Sequence, residues 1–168
     1  MKALISILFF CLTIGVYSQN SSQYDNILLH TAADYRKAEP QVMLAADYVY
    51  SSPIDKEDLN RKNAIAFVMK WMQGTSDYPF GMDETISKIA YGDNEVLSLY
   101  FICLAKYALS KGKGVDREEL KYNAYVLLAT YCENPLNNYK HKGEVKKLIE
   151  AKNQGKLKEY LDSKTKKS

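Results

Sequence analysis

Apolar positions recur at helical spacing along most of this 168-residue chain, and no window alternates with period two. The pattern therefore predicts an all-α fold. A first helix is expected from about Ala38 to Ser51. Pro40 suits its first turn, where the missing N–H is not needed, and Ser51-Ser52-Pro53 ends it. A second runs from about Asp55 to Gln73. At 100° per residue, Ala64, Phe67, Val68, Trp71 and Met72 share one face, with Lys62, Asn63, Lys70 and Gln73 opposite. Gly74 is the expected left-handed terminator. Asp83 to Ala90 predicts a short helix with Ile86 and Ile89 inward, broken at Tyr91-Gly92. Asp93 would cap the next, Asn94 to Ser110, which is apolar almost all round and so needs neighbours on several sides. Asp116 with Glu119 resembles a capping box. It opens a helix with a stripe of Leu120, Ala124, Leu127, Leu128 and Tyr131 that stops at Asn134-Pro135. Two short amphipathic pieces follow, separated by Gly155: one around Val145, Leu148 and Ile149, the other around Leu157, Tyr160 and Leu161.

These elements suit a compact bundle of about five to seven antiparallel or orthogonal helices. Stacked helical hairpins of the tetratricopeptide kind are the other arrangement. No fixed repeat of about 34 residues is visible, so the compact bundle is preferred. A hairpin turning at Lys113-Gly114 would offset Cys103 and Cys132 by about 12 Å along the helix axes. That exceeds the roughly 7 Å Cα limit for a disulfide, so two thiols are expected.

The ends change the picture. MKALISILFFCLTIGVYSQN has a basic start, a short apolar middle and small residues at Val16 and Ser18. That is the anatomy of a signal peptide cleaved after Ser18; the run is shorter than the about 20 residues a membrane span needs. The expected organisation is a signal peptide at 1–18, a polar, partly ordered lead segment at 19–37, a single helical domain at 38–163 and a frayed basic tail at 164–168. Export, to the periplasm or beyond, follows. The formal charge of the whole chain is only +3, too small to imply a nucleic-acid partner. From Lys140 to Ser168, ten lysines face four acids. Such runs are usually solvated helix faces, and weak, salt-sensitive contact with anionic surfaces is the most expected of this one.

Candidate chemistry is sparse. His30 and His141 are the two histidines, and neither has a partner at metal-ligand spacing. No phosphate loop, dinucleotide fingerprint or nucleophile elbow occurs. Asp93-Asn94-Glu95 lacks the rest of a calcium loop. The acidic pairs Glu57-Asp58, Asp83-Glu84 and Glu118-Glu119 each fall at a predicted helix start, where the helix dipole favours them. No catalytic residue, metal site or cofactor is assigned. Fourteen tyrosines are the remaining feature. Tyr100, Tyr107, Tyr125 and Tyr131 fall on core helices. Tyr78, Phe80 and Tyr139 fall in loops and are the candidate ligand or partner contacts. The stretch Lys70 to Glu84 poses the sharpest choice, between a loop plugging the end of a core helix and a recognition site at Tyr78-Pro79-Phe80. The plug is preferred.

NAIAFVMKWMQGTSDYPF, LSLYFICLAKYAL and ENPLNNYKHKGEVKKLIEAKNQGKLKEYL resemble stretches of a set of small exported all-helical proteins of Bacteroidota. The resemblance spans about residues 38 to 162. It implies a helical exported domain of a bacterial envelope and brings no activity, ligand or catalytic residue with it. The expected function is a non-enzymatic interaction or scaffold protein with a protein partner. The alternative is a small-ligand or glycan binder using the Tyr78-Pro79-Phe80 loop. A hydrolase with an unrecognised carboxylate pair ranks third.

Overall fold

A computed structural model describes residues 22–140 and 143–165, and among these the secondary structure is entirely helical. The segment expected to be a signal peptide, His141 and residues 166–168 of the expected frayed tail lie outside the described residues. The helices are α1 (Ala32–Ser51), α2 (Leu59–Gly74), α3 (Glu84–Ile89), α4 (Asn94–Lys111), α5 (Arg117–Glu133), α6 (Gly143–Asn153) and α7 (Leu157–Thr165), with one 3-10 turn at Pro135–Asn137.

Short polar side chains set the helix starts. Asp58, Asp83, Asp93 and Asp116 each accept from a backbone N–H of the first turn, satisfying donors the helix leaves unpaired. Thr31 and Asp34 form a reciprocal capping box that starts α1 six residues before the expected Ala38. Pro40 therefore lies inside α1 rather than in its first turn. The lead segment is correspondingly shorter and is packed: Tyr24 stacks on Phe67 at 4.5 Å, and Leu29 is buried. At the other end α7 continues through Thr165, so Lys164, expected in a frayed tail, belongs to the packed helix.

Three antiparallel hairpins make up the body. α1 pairs with α2, α4 with α5 and α6 with α7, while α1 and α2 both pack on α4 and α5 packs on α6. Helix α3 wedges between α4 and the last hairpin. Helix α4 thus meets neighbours on several sides, which explains a sequence apolar nearly all round. On α2, Ala64, Phe67, Val68, Trp71 and Met72 are all buried.

Two details of the first hairpin depart from sequence expectation. Proline at position 40 removes the N–H that would pair with the carbonyl one turn earlier. In that same weakened stretch, the carbonyl of Tyr35 accepts a 2.9 Å hydrogen bond from Trp71 Nε1, tying α2 to α1. Gly74 is the last residue of α2 and is not left-handed. Its role is steric. A Cβ there would lie 1.9 Å from Tyr35 Oη and 2.2 Å from Tyr35 Cζ. Gly74→Ala should then force the Tyr35 ring aside and cost about 1–3 kcal/mol, the usual range for overpacking. Urea unfolding of Gly74→Ala, alone and combined with Tyr35→Ala, checks this: the second change should remove most of the penalty of the first. A full penalty in both backgrounds would locate the strain elsewhere.

Candidate functional site

Tyr78 and Phe80 fold back over Trp71. The three rings sit with centroids 5.6 Å apart pairwise, and Tyr78 is 7% exposed. Burial, with the Glu39 carboxylate nearby, pushes the Tyr78 hydroxyl up to about 12. Phe80 is half-buried and, with Met69, Met72 and Phe101, borders a small apolar hollow of about 190 Å³. Asp77, in the same loop, accepts from Arg36 at 2.9 Å and lies 2.8 Å from Lys113, which holds its carboxyl down at about 2. The loop is thus fastened to α1 and to the α4–α5 turn.

Tyr139, the third sequence candidate, lies elsewhere. It stands between two adjoining hollows of about 630 and 640 Å³, where α3, the start of α4 and the α6–α7 hairpin meet. Each volume falls within the roughly 300–1,000 Å³ of small-ligand sites. Gly92, Asp93 and Tyr139 border both hollows. Asp93 is the cap of α4, accepting from Val96 N through Oδ1; its Oδ2 accepts from the Tyr139 hydroxyl at 3.2 Å. Burial and that carboxylate push the Tyr139 hydroxyl up. At the mouth, Tyr91 is 91% exposed beside Gly92, whose φ of +70° makes the tight turn into α4. Sequence reading took Tyr91-Gly92 only as a helix breaker and did not single out Tyr91 as a contact.

On the α3 and α6–α7 side, the charged walls of the cleft are paired. Glu84 and Lys88 bridge at 3.0 Å along α3, and Lys88 Nζ donates to the Lys164 carbonyl at 2.6 Å. Glu144 binds Lys164 and, at 2.8 Å, Lys147, and accepts from the Tyr160 hydroxyl at 3.0 Å. Those hydrogen bonds hold the Glu144 carboxyl down at about 2, against an ordinary 4.5. The linkage has a definite sign. Above the unfolded value both states are ionised and the stabilisation is complete; as pH falls from about 4.5 toward 2, the unfolded chain takes up its proton first and the stabilisation is lost. Glu144→Gln should accordingly show a shallower fall of melting temperature between those pH values than the wild type. Equal slopes would mean that the lysines do not hold this carboxylate.

Sequence reading also missed Arg61. It is 2% exposed and donates to Glu95 at 2.5 Å and to the Val49 carbonyl at 3.3 Å. Arg61 precedes Ala64 by three residues and Val68 by seven, so its place on the apolar face was readable from the spacing. Cys103 and Cys132 are buried thiols with no disulfide between them, and burial pushes both up, Cys132 to about 12. His30 is exposed just before the α1 cap.

Among the described residues, no group of three His, Cys, Asp or Glu side chains is placed to hold a metal ion, and no helix is long and apolar enough to cross a membrane. Compared with protein-family models, curated proteins and solved structures, the chain gives no match.

Proposed function

We propose that the protein is an exported, non-enzymatic binding protein whose contact surface is the cleft beside Tyr91 and Tyr139. The carrying observation is the combination found there: ionisable side chains of the α3 and α6–α7 walls tied to one another, and a tyrosine ring standing almost wholly in solvent. General acid catalysis needs a carboxyl that still holds its proton near neutral pH. The Glu144 carboxyl is pushed the other way, to about 2. Paired walls of this kind suit recognition, since they are held in place and present fixed donors and acceptors. An exposed tyrosine supplies contact area with little side-chain entropy to lose. The Tyr78-Pro79-Phe80 loop offers less, because Tyr78 is committed to the Trp71 stack.

Retention of a component from bacterial envelope extract on immobilised protein tests the reading. Wild type should retain it and Tyr91→Ala should not, at an unchanged melting temperature, because the ring is exposed. Equal retention by both would place the contact elsewhere. Export rests on the sequence of the first eighteen residues. N-terminal sequencing of protein recovered outside the cytoplasm should begin at Gln19; a start at Met1 would count against cleavage.

A further inference from the structure

From the make-up of its walls, we infer that the cleft takes a neutral polyhydroxylated ligand, a stretch of uncharged oligosaccharide. The inference rests on the reading of this cleft as the binding surface and adds the class of ligand.

Charge is the first argument. Among the described residues, the two hollows are lined by four lysines, at 56, 88, 140 and 164, and four carboxylates, at 84, 93, 95 and 144. The wall is therefore balanced, with carboxylates at both ends. A phosphate-rich or sulfated chain would meet these carboxylates at close range, and two of the lysines, Lys88 and Lys164, are already engaged. A protein partner is favoured by a different surface, one with an apolar, charge-depleted centre that accepts a buried anchor. Here the apolar wall residues Ile89 and Val145 are themselves buried, and charged, amide and hydroxyl side chains, Ser87, Asn94 and Asn138 among them, line the hollows beside them.

Sugars present what such a wall complements. Each ring has hydroxyls that both donate and accept, matching paired carboxylates, ammonium groups and amides. It also has a face of C–H bonds, which packs on the negative face of an aromatic ring. Tyr91 offers an open ring at the mouth and Tyr139 a second, oriented by its bond to Asp93. Two adjoining hollows on either side of Tyr139 suit a chain of more than one unit rather than a single small molecule.

The experiment is isothermal titration of the full mature chain with neutral hexasaccharides of glucose, xylose, mannose and N-acetylglucosamine, with polygalacturonate and heparin fragments as anionic comparators. At least one neutral hexamer should bind, with little dependence on salt. Tyr91→Ala should weaken it about tenfold, on the order expected for losing one stacking surface. Tyr139→Phe, which keeps the ring and removes the bond to Asp93, should weaken it less. Binding of the anionic fragments only, or neutral binding indifferent to Tyr91→Ala, would overturn the inference. A benzophenone probe attached through Ser87→Cys, an exposed position on the cleft wall that leaves Tyr91 in place, separates the two levels of claim. If no hexamer binds and the probe crosslinks to a protein of the envelope extract, the ligand class is wrong while the cleft reading stands. If no hexamer binds and the probe captures nothing, both fail.

Discussion

Trp71→Ala should lower the free energy of unfolding by about 3–5 kcal/mol, the usual cost of truncating a buried large aromatic. Against a total of about 5–15 kcal/mol for a domain, that is a major loss, and the melting temperature should drop by roughly 10 °C or more. The site explains the size. Trp71 is 0% exposed, its indole N–H holds the Tyr35 carbonyl, and Tyr78 and Phe80 close over its ring. Removing the ring leaves a cavity at the α1–α2 contact, unties that bond and takes the support from the loop. Tyr78→Ala should cost less, since it removes one covering ring and leaves the hairpin bonded. In the folded wild type, the only tryptophan of the chain should emit at short wavelength and resist acrylamide. Free quenching, with an alanine variant that melts like wild type, would contradict this packing.

Arg61 supplies the second large effect. Its guanidinium links three helices through Val49, Glu95 and Tyr131, and the Tyr131 hydroxyl in turn donates to the Ser52 carbonyl at 2.7 Å. Removing one partner of a buried pair costs about 3–5 kcal/mol, chiefly because the other charge is left without compensation. The two partners are unequal here: the side chain of Arg61 is 2% exposed and that of Glu95 34%. After Arg61→Ala the carboxylate can take up water. After Glu95→Ala the guanidinium cannot, so this is expected to be the more damaging single change at the charge level, while Arg61→Ala adds the loss of packing. The double variant Arg61→Ala with Glu95→Ala should be more stable than the two single losses predict. Denaturant unfolding of the four proteins measures that coupling, and simple additivity would show that the pair is not held as drawn.

Helix starts were legible because their cause is local. An aspartate before an apolar run satisfies N–H groups two or three residues ahead, which accounts for Asp83, Asp93 and Asp116; α2, expected from about Asp55, starts instead at Leu59 behind the Asp58 cap. The apolar face of α2 was legible for the same kind of reason, since its spacing alone places Trp71 among Ala64, Phe67 and Val68. The start of α1 was misjudged because a proline inside a helix and a proline in its first turn look alike until the upstream Thr31–Asp34 box is weighed. Glycine at 74 reads as a terminator in one dimension. Only the approach of Tyr35, 39 positions away, shows that its missing side chain makes room for a ring. The same limit hid the cleft. Tyr91, the Tyr139–Glu144 stretch and Lys164 come from three separate parts of the chain, and neither their nearness nor the exposure of Tyr91 follows from any periodicity.

By itself, then, the order of residues determined the helical class, most helix boundaries and the inward faces, since these depend on contacts within a few turns. Tertiary structure alone decided which side chains are spent on packing and which remain available. Arg61 is drawn inside by Glu95, Tyr139 is bonded to Asp93, and Tyr91 is left in water. The physical reason is that burial and pairing depend on what long-range packing brings alongside, and helical spacing says which way a side chain faces but not what it meets.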